Sequence, residues 1–315
     1  MSGGRSPLVI GSRGSRLALW QANWVKGRLE ASGHAARIEE IRTLGDRQQD
    51  RSLVEIGGKG VFVKEIEEAL LAGRIDLAVH SLKDLPTAQP DGLTVACIPS
   101  REDPRDLLVS RREGVRIEDL PGDAIIGTGS PRRACQIRAR RADLQIRDLR
   151  GNVDTRLKKL ERDEYAAIVL ACAGVRRLGL AVAGTPFEFD CMLPAVGQGA
   201  LAIETRADDD ALPPILAPLH HDATARAVRA ERAFLSGLGA GCQAPVGAIG
   251  VIEAGRLVLR GLVGDPDSGI IVRDRLEGPT EDPERLGADL ADRLLAQGAE
   301  ALMRRPTPPP PADSP

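Results

Sequence analysis

Aromatic side chains are nearly absent, at 2% of 315 residues. Ala, Val, Leu and Ile must therefore build the core, and a base-stacking platform for single-stranded nucleic acid is excluded. An excess of charge of either sign is also missing. The formal net charge is −2, so nothing draws the whole chain toward DNA or an acidic membrane. The five cysteines form no CxxC pair and no zinc spacing, and no metal site is expected. Cys97 and Cys172 fall in apolar runs and read as buried thiols. No run approaches a membrane span, and the first seven residues hold no apolar signal region. A reducing, cytoplasmic setting is expected, with no nucleic-acid or membrane partner. The Gly-rich turns supply neither a GxxxxGK[ST] loop nor a full GxGxxG fingerprint.

What is present is a run of strand-to-helix junctions that carry cations. Ile75, Leu77, Ala78 and Val79 read as a buried strand that ends in His80, Ser81, Lys83 and Asp84, and Pro86 stops its continuation. Polar groups at the carboxyl end of a buried strand are where open α/β sheets bind ligands. Taken alone, Asp84 could as well cap a turn. Leu8-Val-Ile10 is a strand, and Arg13 follows it just before a helix that Ser15 can cap. Leu17, Trp20, Trp24 and Leu29 predict the apolar face of that helix. Gly57-Gly-Lys-Gly60, carrying Lys59, reads as a mobile loop ahead of a helix with Phe62, Ile66, Ala69 and Leu70 on one side.

A second α/β unit begins after residues 99–105, which read as a hinge. Its strands are predicted at Leu107-Leu-Val109, Ala124-Ile-Ile126 and residues 166–171. Ser130 followed by Pro131 is a helix start, which puts Arg132 and Arg133 in a first turn. Cations are unfavourable there unless an anion sits on the helix end. Asn152 can cap a further helix, flanked by Arg150 and Arg156, and Arg177 follows the next strand. Together these junctions suggest a cleft between two α/β domains, lined with guanidinium groups that fork onto carboxylates. Leu193-Pro-Ala-Val-Gly-Gln-Gly-Ala200 reads as a second crossing between them. The remainder reads as a small α+β domain: a helix over residues 224–238, a Gly-rich turn holding Cys242, strands near 246–251, 257–263 and 269–272, and a helix over about 283–302.

The motifs resemble those of the hydroxymethylbilane synthase family, also called porphobilinogen deaminase, in order and over nearly the whole chain. They are Gly58-Lys-Gly-Val-Phe62, His80-Ser-Leu-Lys-Asp84, Arg101-Glu-Asp-Pro-Arg-Asp106, Gly127-Thr-Gly-Ser130 with Arg132-Arg133, Leu149-Arg-Gly-Asn152, Ala195-Val-Gly-Gln-Gly199 and Gly241-Cys-Gln243. The resemblance implies an α/β fold, with two type II periplasmic-binding-protein-like domains (residues 1–98 with 200–218, and 99–199). A small α+β domain (219–305) would carry the cofactor loop, and 306–315 would be a disordered tail. It implies an enzyme that joins four porphobilinogen molecules head to tail, releases ammonia and frees linear hydroxymethylbilane, working as a monomer. Its dipyrromethane cofactor would hang from Cys242 by a thioether, with Asp84 as the catalytic carboxyl. Lys83, Ser81, Thr128, Ser130, Arg132, Arg133, Arg150 and Gly151 would hold the cofactor. Arg13, Ser15, Arg156, Arg177, Lys59, Phe62 and Gln198 would receive substrate and the growing polypyrrole chain. Two departures, Pro131 and Ala240, remove no charged or nucleophilic group. The competing reading is a non-catalytic anion-binding protein of periplasmic-receptor type. A nucleotide-dependent enzyme comes third.

Overall fold

The computed structural model describes residues 6–47, 60–241 and 244–303. Lys59, Cys242 and the tail expected at 306–315 lie outside these residues. The chain starts with β1 (Leu8–Ser12), α1 (Arg16–Ala31), β2 (Ala36–Glu40), the single turn α2 (Leu44–Arg47), α3 (Lys64–Leu71), β3 (Leu77–Ser81) and β4 (Leu93–Cys97). It crosses to a second lobe with β5 (Asp106–Ser110), β6 (Ile125–Gly127), α4 (Pro131–Arg140), β7 (Gln145–Arg147), α5 (Val153–Glu161), β8 (Ala167–Ala171), α6 (Cys172–Arg177) and β9 (Gly184–Pro186). It then returns as β10 (Leu201–Arg206) and α7 (Leu212–Leu216) to the first lobe. A third unit comprises α8 (Asp222–Gly237), β11 (Val246–Glu253), β12 (Arg256–Gly264), β13 (Ile271–Gly278), α9 (Pro283–Ala296) and α10 (Ala299–Met303).

The two lobes repeat one pattern. The first sheet runs β2-β1-β3-β10-β4 and the second β7-β6-β8-β5-β9. In each, the fourth strand is the antiparallel one, β10 against β3 and β5 against β8, and each arrives directly from the other lobe. This brings the carboxyl ends of β1, β3, β6 and β8, with the polar residues after them, to one cleft.

The cores are aliphatic, as the shortage of aromatics requires. Ile10, Val25, Leu29, Leu77 and Ile203 join in the first lobe, and Leu108, Ile126, Ile137 and Val169 in the second. Phe234, Leu259 and Leu290 centre the third unit, each fully buried and worth about 1.5–3 kcal/mol relative to exposure. Ser15 caps α1, accepting from the Ala18 N–H at 3.3 Å. The buried face of α1 matches the predicted one only in part: Leu29 is buried and Trp24 packs against the core, but Trp20 is not on it. That face is Ala18, Gln21, Ala22, Val25 and Leu29. Small residues let α1 sit close on the sheet, which turns Trp20 out to 37% exposure. Asn152 caps α5, accepting from Thr155 N–H at 2.9 Å. Ser130 stands at the N-cap of α4 with Pro131 at the next position, but its hydroxyl makes no capping bond. The predicted last helix is two, α9 and α10, divided at Gly298 in a left-handed conformation at φ +91°. The third strand of the small sheet runs later than predicted, from Ile271 to Gly278.

The two crossing segments lie against each other. Glu102 N–H donates to Gly199 O at 3.1 Å. A Cβ on Gly199 would fall 2.4 Å from Glu102 O, and its φ of +87° adds a second reason for glycine. Glu231 of α8, fully buried, joins both crossings to the third unit. Its carboxylate accepts from Arg101 Nη1 at 2.6 Å, from Gly197 N–H at 2.7 Å and from Gly250 N–H at 2.8 Å. Among the described residues, no helix is long and apolar enough to cross a membrane.

Candidate active site

The cleft between the lobes holds a cavity of about 900 Å³. Of the residues singled out from sequence, Arg13, Ser15, Phe62, Ser81, Lys83, Asp84, Arg133, Arg150, Gly151, Arg156, Arg177 and Gln198 line it. Thr128, Ser130 and Arg132 do not line it.

β3 delivers the central group. Ser81 ends the strand, and its hydroxyl accepts from Gln21 Nε2 at 2.8 Å. A single 3-10 turn, Leu82–Asp84, then buries Leu82 and turns Lys83 and Asp84 into the cleft. Among the described residues no hydrogen bond or ion pair holds the Asp84 carboxyl, which is exposed. The loop after it is fixed by α8, whose Arg232 donates to Leu85 O at 3.1 Å and to Pro86 O at 2.6 Å. The C-terminal half of α8 is thus anchored beside Asp84.

Lys83 keeps part of its surface open to the cleft but lies deep between the lobes. Desolvation pushes its ammonium down to about 8. Asp84 opposes that shift, and Arg133 adds to it. The downward direction agrees with the position of Lys83 at a cationic cleft floor. Burial likewise lowers Arg156 and Arg177, each to about 10, and Arg133 reinforces the effect at Arg156. Arg156 Nε donates to Gly151 O at 2.8 Å and Arg177 Nη2 to Gly199 O at 2.7 Å. Among the described residues, Lys83, Arg156 and Arg177 have no carboxylate within 4 Å. These charges await an anion.

Other cations are already engaged. Arg13 is held by Asp46, with Nη2 to Oδ1 at 2.5 Å, and its guanidinium lies 4.1 Å from the centre of the Phe62 ring. Burial would raise the Asp46 carboxyl, but hydrogen bonding and charge from Arg13 hold it below the ordinary value. Arg150 Nε donates to Asp148 at 2.6 Å. Arg132 and Arg133 do face an anion from the first turn of α4, but it is Asp106 of the same chain. Arg132 Nη1 meets Asp106 Oδ2 at 2.6 Å and Leu193 O at 2.6 Å. Arg133 Nη2 meets Asp106 Oδ1 at 2.7 Å, and its Nη1 donates to Val169 O at 2.7 Å. Burial would raise the Asp106 carboxyl, yet the two guanidiniums outweigh it and hold the pKa far below the ordinary carboxylate range. Gln198 Nε2 also donates to Asp106 at 3.0 Å, and its buried Oε1 has no donor. The sequence reading did not identify Asp46 and Asp106 as parts of this site. Asp106 closes a quoted motif and was open to notice there, whereas Asp46 carries no signal in spacing or composition.

The lining counts eight cationic side chains against four acidic ones. Four of the eight are paired, Arg13 with Asp46, Arg16 with Asp154, Arg133 with Asp106 and Arg150 with Asp148, and a dipyrromethane, with an acetate and a propionate on each of two rings, carries four carboxylates. The donor set therefore fits the group, with Arg42, Lys83, Arg156 and Arg177 as the members that have no carboxylate within 4 Å among the described residues.

Comparison with known proteins agrees with this geometry. The family description "Porphobilinogen deaminase, dipyromethane cofactor binding domain" matches residues 8–213, and "Porphobilinogen deaminase, C-terminal domain" matches residues 225–296. The porphobilinogen deaminase of Roseiflexus sp. (strain RS-1) is 51% identical over 302 residues, covering 95% of this chain and 99% of that protein. The Geobacter metallireducens porphobilinogen deaminase is 49% identical over 299 residues, covering 94% of this chain and 93% of that protein. An ancestral cationic amino acid solute-binding protein aligns at 14% identity with a TM-score of 0.41, over 68% of this chain and 88% of that one. With both family regions matched in order and half the residues shared, the chain belongs to the porphobilinogen deaminase family.

Proposed function

We propose that this cleft condenses four porphobilinogen molecules head to tail, with loss of ammonia at each addition, and then frees linear hydroxymethylbilane by hydrolysis. The observation that carries the reading is the meeting of one unrestrained carboxyl, Asp84, with cations that lack carboxylate partners, Lys83, Arg156 and Arg177. Receptor-type binding alone needs the cations but gives Asp84 no task. We assign Asp84 the proton given to the departing amine. As carboxylate it then faces the positive charge that develops and takes a proton back. Lys83, Arg156 and Arg177 bind the acetate and propionate groups, and Arg150 and Arg133 extend that wall. Arg13 receives a substrate carboxylate when Asp46 yields its fork. Ser15, Ser81 and Gln198 orient polar atoms, and Phe62 gives the ring plane something to lie on. Thr128, Ser130 and Arg132 support the wall from behind. When bound, dipyrromethane supplies the nucleophilic pyrrole carbon to which the first unit is added. We place its thioether on Cys242 and a loop contact on Lys59. The segments near Pro99 and Gly197 serve as hinges as the product lengthens.

The test is denaturing mass spectrometry together with turnover. The wild-type chain should weigh more than its sequence by roughly two pyrrole units and should consume porphobilinogen. Cys242→Ser should return to the bare sequence mass and lose turnover. A fully active wild-type chain at bare mass would remove the anchor, and failure to consume porphobilinogen would remove the function.

Lys83 adds a pH dependence. Below about 8 its ammonium is charged and attracts a carboxylate, and above that value it is neutral. A bound carboxylate favours the charged form, so affinity should fall as pH rises through 8, by up to about tenfold per unit. KM for porphobilinogen is expected to climb between pH 7.5 and 9.5, and Lys83→Met should be weaker but flat over that range. Parallel slopes in the two proteins would take this role from Lys83.

A further inference from the structure

A second crevice, of about 420 Å³, opens between the second lobe and the small sheet. Gln136, Phe189, Asp190 and Leu193 form one wall, and β12 and β13 form the other. In that sheet Arg260 stands directly opposite Arg275, and Leu262 opposite Arg273. Strand alternation therefore puts three guanidiniums on one face. Like charges directly opposed across a ladder weaken the pairing, so this grouping does nothing for the sheet itself.

Neutralisation inside the crevice is incomplete. Arg260 Nη1 reaches Asp190 at 3.1 Å, but Asp190 is 94% exposed. Arg273 Nη1 donates to the Asp190 backbone O at 3.2 Å and has no carboxylate within 4 Å among the described residues. Arg275 meets Glu253 and Glu277, each only at 3.8 Å. Asp274 also lines the crevice, but its carboxylate is taken by Arg293 at 2.7 Å. Among the described residues the buried Nε–H of Arg260 has no acceptor. A buried donor without a partner requires an explanation, and a ligand oxygen supplies one.

We propose that this crevice binds a small organic polycarboxylate, held by Arg260 and Arg273. Guanidinium forks match carboxylates. The volume exceeds what a lone inorganic oxyanion fills, and Phe189, Leu193 and Leu262 offer apolar wall for a carbon skeleton. The site communicates with the cleft through one side chain. Gln136 Oε1 accepts from Leu193 N–H at 2.7 Å, and its Nε2 donates to Arg132 O at 3.1 Å. Arg132 in turn holds Asp106, and Leu193 begins the second crossing. An occupied crevice ties the small sheet to that crossing and so slows the movement of the lobes.

Citrate titrated into the purified holoenzyme by calorimetry, at low ionic strength, tests this. One saturable site is expected, at least tenfold weaker in the double variant Arg260→Gln with Arg273→Gln. Citrate should lower turnover more in the wild type than in the double variant, where only its competition for the cleft's cations remains. Arg260→Lys, which keeps the charge and removes the Nε–H, covers the case in which the double variant does not fold, and it too should bind at least several-fold more weakly. Citrate binding of equal strength in the variants overturns the site. Inorganic phosphate binding as tightly as citrate overturns its assignment to organic carboxylates, and sodium chloride reproducing the effect at matched ionic strength reduces it to screening. The calorimetric results do not depend on the chemistry assigned to the cleft, and only the turnover result rests on it.

Discussion

Asp106→Ala is expected to unfold the second lobe ahead of the first. The carboxylate has no exposed surface and receives Arg132, Arg133 and Gln198 together. Its removal leaves two buried guanidiniums facing each other, each with one backbone carbonyl, Leu193 O or Val169 O. Breaking a buried pair in this way costs roughly 3–5 kcal/mol, because the remaining charge is neither hydrated nor matched. The molecule reports its lobes separately. Trp20 and Trp24 both lie on α1 in the first lobe, and the single tyrosine, Tyr165, is buried in the second. A denaturant titration followed by tryptophan fluorescence and by the near-ultraviolet tyrosine band should show the two midpoints part in the variant, which a chain of several units allows. Wild-type midpoints for both probes would show that the arginines find other partners and that Asp106 is dispensable. The acid dependence follows from the same charges. Asp106 is depressed in the fold, so its contribution is complete above the ordinary carboxylate value near 3.8 and is lost only as pH falls well below it. Mild acid should therefore leave this cluster intact.

The Arg132–Asp106–Arg133 cluster also marks how far residues alone carry the reading. The start of α4 was legible from Ser130 and Pro131, and the argument that two arginines in a first turn need an anion was sound. What spacing could not say is that the anion belongs to the chain itself, because pairing across the sheet sets that. The buried strands β3, β5 and β8 were legible because each carries an unbroken run of three or more apolar residues. β2 was not, since Ala36–Glu40 reads ARIEE and is buried only in part. β7 and β9, of three residues each, give no period to detect. Trp20 misdirected the reading of α1 because a large aromatic residue dominates an apolar stripe, whereas the sheet accepts the smaller Ala18 and Ala22 while Trp24 packs at the core's edge. In the cleft, Lys83, Arg156 and Arg177 were legible as cations at strand or helix ends. The engagement of Arg13 by Asp46 was not, because it depends on a contact across 33 residues. Gly199 was visible only as part of a Gly-rich run, and its reason, a backbone oxygen 2.4 Å from any Cβ, appears only when the two crossings meet.

Asp84→Asn should abolish most turnover and leave the molecule standing. The side chain is exposed, makes no hydrogen bond or ion pair among the described residues, and follows a turn whose burial is carried by Leu82 and Leu85. No packing is lost and no partner is stranded, so the denaturation midpoint should stay within the small range of a surface substitution. Rate is another matter. Asparagine keeps the size and the polarity but cannot exchange a proton, and loss of a positioned acid–base group costs about 10²–10⁴-fold. The carboxylate also lies close enough to offset the lowering of Lys83 and Arg156. Its neutralisation therefore removes a negative charge from the one part of the cleft where positive charge develops during reaction. The carboxylate-binding cations remain, so substrate should still bind, and the loss should fall on kcat rather than KM. Asp84→Glu should recover part of the rate, because it restores the proton carrier at a displaced position. Single-turnover kinetics on variant chains checked by mass for bound dipyrromethane would separate this from failure to load the cofactor. A loaded Asn variant turning over near the wild-type rate would move the proton transfer to another group, and Lys83, already lowered toward neutral pH, would be the next to test.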